Sequence, residues 1–171
     1  MVDEAELEAR LAALETRVRE LEDREALAQL VASYGPAVDS GEAAAAAALW
    51  ADDGVFDVVP YFELVGHDGI AGMVDDDGHQ SLIHNGCGHV LTAPKIVVDG
   101  DRARGWNYAF NIRWDGELDR FWIARLSANE WDFRREGDAW RVVRRTNVNL
   151  DGDERPRALL RHSTEPSGGM S

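Results

Sequence analysis

The chain has 171 residues, with 18 Lys plus Arg against 32 Asp plus Glu, so its formal net charge is −14. That balance argues against nucleic acid and against anionic membrane surfaces as partners, because both are bound mainly through Lys and Arg. Hydrophobic residues make up 44% of the chain and include six Trp, enough for the core of one packed domain. Cys87 is the single cysteine, so no intrachain disulfide can form and a cytoplasmic setting is expected. No apolar run approaches the roughly 20 residues of a membrane span. The acidic start, Met1-Val2-Asp3-Glu4, is unlike a targeting peptide.

Residues 3–31 read as one helix. Leu7, Leu11, Leu14, Val18 and Leu21 recur at spacings of 4, 3, 4 and 3, a heptad seam, with Glu and Arg on the other faces. About two heptads are marginal as an isolated coiled coil. The seam is expected either to pack along its own domain or to meet a second subunit. The pattern continues through Leu27, Leu30, Val31 and Tyr34 to Gly35-Pro36, a predicted stop or kink. Val38-Asp39-Ser40-Gly41 reads as a turn. Ala43 to Trp50 is helix-prone, with Gly54 as its expected C-terminal cap.

Val55 to Val59 is a predicted strand ended by Pro60, and residues 67–78 suggest a short helix. From His89 the hydrophobic period becomes two, giving strands over roughly 89–98, 102–114, 119–135 and 139–150. Asp99-Gly100-Asp101, Asp115-Gly116-Glu117 and Glu136-Gly137-Asp138 mark the hairpin turns between them. Residues beyond 150 are polar and read as a tail or strap, with Pro156, Pro166 and Gly168-Gly169. Helices followed by an antiparallel meander make an α+β domain. Three segments result: a helical heptad extension (1–23), the domain (24–150) and a polar tail (151–171).

Alternation divides the second long strand into Trp106, Tyr108, Phe110, Ile112 and Trp114 on one face and Gly105, Asn107, Ala109 and Asn111 on the other. The last strand divides into Trp140, Val142, Arg144 and Thr146 against Arg141, Val143, Arg145, Asn147 and Asn149. Faces rich in Asn and Arg suit a cavity with a few polar groups. The alternative is that these faces are solvated and the aromatic ones form the core or meet another subunit.

Several pieces, in order over 24–150, resemble the SnoaL-like branch of the nuclear transport factor two-like superfamily. They are Arg24-Glu25-Ala26-Leu27 leading to Tyr34 and Val38-Asp39-Ser40-Gly41, Leu49 to Phe56, Gly66-His67-Asp68-Gly69-Ile70, His89, Val98 to Ala103, and Trp140-Arg141-Val142. The resemblance implies a cone-shaped, curved antiparallel sheet wrapped around N-terminal helices, an apolar pocket for a small hydrophobic substrate, and a homodimer or homotrimer. It also implies a cofactor-independent activity, since the similar members include scytalone dehydratase, hexachlorocyclohexane dehydrochlorinase and bile acid dehydratase. Their paired Asp and His fall on Asp39 and His89, the accompanying Tyr on Tyr34, and an Arg of the last strand on Arg145, or on Arg144 if the register slips by one. Asn107 and Asn111 stand where a second acid would favour a ketosteroid isomerase.

The chemistry of those residue types is coherent. A neutral imidazole accepts a proton near neutral pH, and a carboxylate on one ring nitrogen fixes its tautomer and stabilises the imidazolium. Arg145 keeps its charge and can hold a leaving group or enolate oxygen, and Tyr34 can donate to a carbonyl or a departing hydroxyl. Trp50, Asn107, Asn111 and Asn147 are the expected substrate-binding residues. The expected function is a dehydratase-type lyase acting on a steroid, terpenoid or polyketide. Alternatives are a non-catalytic ligand binder or assembly subunit, and an isomerase or cyclase using Asp39 directly as base. Each site residue also has a structural reading: Asp39 as a helix cap, His89 and Tyr34 as core, Arg145 in a surface ion pair. His84, Cys87 and His89 have Zn-ligand types, but no second cluster completes a set, so neither metal nor cofactor is expected.

Overall fold

The computed structural model describes residues 3–164. Its elements in chain order are α1 (Glu4–Asp39), α2 (Ala43–Ala47), β1 (Trp50–Val59), β2 (Phe62–Val65), α3 (Gly66–Asp75), α4 (Asp77–His84), β3 (Cys87–Leu91), β4 (Lys95–Asp99), β5 (Arg102–Asp115), β6 (Arg120–Glu136), β7 (Ala139–Asn149) and α5 (Glu154–His162). The seven strands form one sheet in the order β2-β1-β7-β6-β5-β3, with β4 also pairing β5. All pairings are antiparallel except β1 with β7. This is the expected α+β arrangement of helices against a curved sheet, with hairpins at the predicted turns.

α1 does not stop at Gly35-Pro36. Pro36 has no N–H to reach back one turn, a defect worth about 3 kcal/mol in an unsupported helix. Burial carries the helix past it: Leu27, Val31, Tyr34 and Val38 form one stripe seated in the core. Gly35 is required for contact, not for a break. A Cβ at this position would lie 2.2 Å from the His89 carbonyl oxygen, so the backbone of α1 runs directly against that of β3.

Other boundaries shift for physical reasons. The Ala-rich helix ends at Ala47, and Gly54 is not its cap but a residue of β1. A Cβ on Gly54 would fall 2.7 Å from Trp50 Cδ1 and 2.8 Å from the Val142 carbonyl oxygen, at a register shift between β1 and β7. The helix over 67–78 is two helices, α3 and α4, broken at Asp76, which accepts from the Gly78 N–H and so caps the second. The strand over 89–98 divides into β3 and β4 around Pro94, which cannot donate to a ladder. β2 has no counterpart in the sequence reading. Part of the polar tail is the helix α5, capped by Asp153 and tied to the sheet by His162 Nδ1 to Glu130 Oε2 at 3.1 Å. Pro166 and Gly168-Gly169 lie outside the described residues.

The inner face of the sheet is the one bearing Asn107 and Ala109, not the one bearing Tyr108 and Trp114. Trp106 alone of its aromatic row is deeply buried, with its indole N–H on Glu130 and α5 packed along β6. In β7 the inner set changes phase. Val142 and Arg144 pair with Phe133 and Asp132, which leaves Val143 as an extra residue. The buried sequence therefore runs Trp140, Val142, then Arg145, Asn147, and Arg144 turns outward to Asp57 and Glu63.

Candidate active site

Residues opposite each other on adjacent strands share a face, so the register can be read as rungs across the inner surface. At one end the rung is Trp50, Val142, Phe133 and Ala103, all apolar and buried. The next joins Phe56, Arg145, Trp131 and Gly105; the next Val58, Asn147, Asn129 and Asn107. Beyond them come Asn149, Ser127, Ala109 and Leu91, and then Arg125, Asn111 and His89. Polarity thus rises along the sheet toward the end where α1 delivers Asp39.

Asp39 is the last residue of α1, and His89 is in β3. The carboxylate grips the histidine twice. Oδ1 is 2.6 Å from His89 Nδ1, and Oδ2 accepts from the His89 backbone N–H at 2.7 Å. A carboxylate is acceptor-only, so Nδ1 carries the proton and donates, leaving the Nε2 lone pair free to act as a base. Both side chains retain some exposure, 26% for Asp39 and 14% for His89. The close backbone contact at Gly35, one helical turn earlier, sets the reach of this grip.

Tyr34 lies between the imidazole and Arg145. Its ring is 6.5 Å from that of His89, edge to face, and the Arg145 Cζ sits 4.2 Å from its centroid. Arg145 is 3% exposed and is boxed by Tyr34, Phe56 and Trp131, a cation–π arrangement on three sides. Burial holds the Arg145 guanidinium below its ordinary value, although arginine keeps its proton in proteins. Burial pushes the Tyr34 hydroxyl up, against the opposing pull of the Arg145 charge, so it remains a neutral donor.

The asparagines divide in their roles. Asn107 is occupied on both sides, donating to the Thr92 carbonyl at 2.9 Å and accepting from Trp131 Nε1 at 3.0 Å. Asn147 donates to Asn129 Oδ1 at 2.8 Å and accepts from Arg125. Asn111 shares the His89 rung. Trp50 is fully buried behind Tyr34 and Phe56 and presents no surface to a ligand.

Three residues of this region were absent from the sequence reading. Asn129 accepts from both Arg145 and Asn147, while its own amide and Arg145 Nη1 are buried without a partner among the described residues. Arg125 reaches Asn147 and Asn149. His79 donates from Nε2 to the Val38 carbonyl at 2.9 Å, at the negative end of the α1 dipole, with its ring 5.6 Å from that of His89. Alternation along β6 through Ser127, Asn129 and Trp131 carried the signal for Asn129; nothing local marked His79.

Of the candidate metal ligands, Cys87 and His89 cluster with Asp39 rather than with His84, their ligand atoms lying within 4.8 Å of one another. Both Asp39 oxygens already accept from His89. Burial and then the Asp39 charge push the Cys87 thiol up, which disfavours a nucleophilic thiolate. No helix among the described residues is long and apolar enough to cross a membrane.

Residues 19–146 match the SnoaL-like domain. An NTF2-like protein with a cystatin-like fold from Novosphingobium aromaticivorans is 41% identical, with a TM-score of 0.81, covering 94% of this chain and 98% of that one. Two solved structures resemble it in fold alone. Hexachlorocyclohexane dehydrochlorinase LinA-type3 from Novosphingobium barchaimii is 16% identical, with a TM-score of 0.67 over 78% of this chain and 90% of its own. A scytalone dehydratase homologue from N. aromaticivorans is 17% identical, with a TM-score of 0.65 over 77% and 86%. No functionally curated protein matches. The domain match covers most of the chain and the 41% relative nearly all of it: the chain belongs to the SnoaL-like family.

Proposed function

We propose that the protein is a cofactor-independent lyase that eliminates water, or another small leaving group, from a hydrophobic small molecule of steroid, terpenoid or polyketide type. The observation that carries this reading is the double grip of Asp39 on His89. His89 Nε2 takes a proton from a carbon of the substrate. The C–H electrons form the new double bond, and the neighbouring carbon–oxygen bond breaks toward the departing hydroxyl. Asp39 fixes the productive tautomer and balances the imidazolium. Tyr34, kept as a neutral hydroxyl, donates a hydrogen bond to the oxygen that gains charge, and the His89 imidazolium gives its proton to the departing hydroxide, which leaves as water. Arg145 supports that tyrosine electrostatically from its aromatic box. The fold likeness to a dehydrochlorinase and a dehydratase homologue is consistent with this chemistry.

General acid–base catalysis contributes about 10²–10⁴-fold. The test is turnover of a panel of hydrophobic β-hydroxy ketones and chlorinated rings, read as loss of water or HCl by mass. His89→Ala and Asp39→Ala are each expected to lower turnover of any converted compound by about 10²–10⁴-fold with the fold intact. Full activity in His89→Ala would remove the proposal.

A further inference from the structure

We propose that the first half of α1 joins two copies of this chain as a parallel, two-stranded coiled coil. Leu7, Leu11, Leu14, Val18 and Leu21 are between 49% and 62% exposed, so the seam does not pack on its own domain. The opposite side of the same helix is the one that docks. Asp23 accepts from Arg135 at 2.7 Å and from Trp140 Nε1 at 3.0 Å, and Leu27, Val31, Tyr34 and Val38 continue that stripe into the core. At about 100° per residue the two stripes lie on opposite sides of the helix. The domain thus sits away from the seam, which leaves room for a second helix along it.

Charge selects the occupant. With the leucines at 7, 14 and 21 in d positions and Leu11 and Val18 in a positions, Glu8, Glu15 and Glu22 fall at e, and Arg10, Arg17 and Arg24 at g. In a parallel pair each g residue faces the e residue of the next heptad on the partner helix. Arg10 then meets a partner glutamate at position 15, and Arg17 one at position 22, from both sides of the seam. In an antiparallel pair the same pattern sets arginine against arginine and glutamate against glutamate. Leucine at every d position, with β-branched Val18 at one a position, favours two strands over three. Two heptads alone would struggle to nucleate a helix. Here residues 22–39 of the same helix, held by the domain, supply the nucleus.

The test is the mass of the full chain by sedimentation equilibrium, with circular dichroism to establish that each variant keeps its fold. The wild type is expected to be a dimer. Arg10→Glu with Arg17→Glu, and separately Glu15→Arg with Glu22→Arg, each make e and g one sign and should weaken that dimer at least about tenfold. Mixing the two variants should restore a 1:1 dimer. A monomeric wild type overturns the proposal. So does a dimer indifferent to these changes, as expected of an antiparallel pair or of association through the exposed sheet residues Phe121, Trp122 and Ile123. Orientation has its own readout. In a Cys87→Ser background, Leu7→Cys should form a disulfide-linked dimer on mild oxidation, because a parallel seam places the two copies of residue 7 together. Failure to cross-link overturns the parallel arrangement.

Discussion

The two halves of α1 have similar apolar spacing and opposite fates. Leu7, Leu11, Leu14, Val18 and Leu21 stand in solvent, whereas Leu27, Val31, Tyr34 and Val38 are among the most deeply buried residues of the chain. Periodicity announces that a helix has an apolar face; it does not say what covers that face. The covered half also delivers Asp39 to His89 and presses its backbone against β3 at Gly35.

The comparison can be broken most forcefully at Leu27. Leu27→Ala, which removes a fully buried side chain, should cost about 2–5 kcal/mol in chemical denaturation, with a matching fall in melting temperature. Gly35→Ala comes next. Helix propensity alone would favour alanine by about 1 kcal/mol, but a methyl 2.2 Å from a backbone oxygen must push α1 off β3. Overpacking of about 1–3 kcal/mol should win, and turnover should fall together with stability. A stabilised Gly35→Ala protein would mean that the helix and strand are not in contact there.

At the junction of the two halves, Asp23 is tied to Arg135 and Trp140. Burial opposes its ionisation, but those hydrogen bonds and the Arg135 charge outweigh it and hold the carboxyl below its usual value. A carboxyl lowered on folding adds stability above its unfolded pKa, near about 4, and loses it as pH falls through the native value. Asp23→Asn should therefore cost about 1–2 kcal/mol at neutral pH, and the gap from wild type should close in melts run toward pH 3, roughly one unit below the unfolded value. The smallest effect belongs to the exposed half. Leu14→Ala, measured at a concentration where the chain is monomeric, should change stability by no more than about 0.5 kcal/mol.

Helix, hairpin turns and the long strands were legible because each rests on neighbours in sequence: a 3.5-residue seam, a period of two, and glycine between acidic residues at the turns. The pairing of residues 39 and 89 was legible only through family resemblance, since nothing local to either position implies a contact across fifty residues. The inner face of the sheet was misdivided in β7 because a single extra residue, Val143, shifts the alternation partway along the strand. Gly35 read as a breaker because the strand that needs its missing side chain lies more than fifty residues away.

The amino-acid order by itself determined the long first helix, the three hairpin turns and the long strands they join, and the charge pattern that flanks the exposed leucines. Only the tertiary structure decided which apolar stripe is covered, that Asn129 and Arg125 join the polar rungs, and that Trp50 lies behind the site rather than in it. The reason is physical. Local periodicity is set by backbone geometry within a few residues, whereas burial, bulges and hydrogen-bond partners are set by whichever chain segment arrives on the other side.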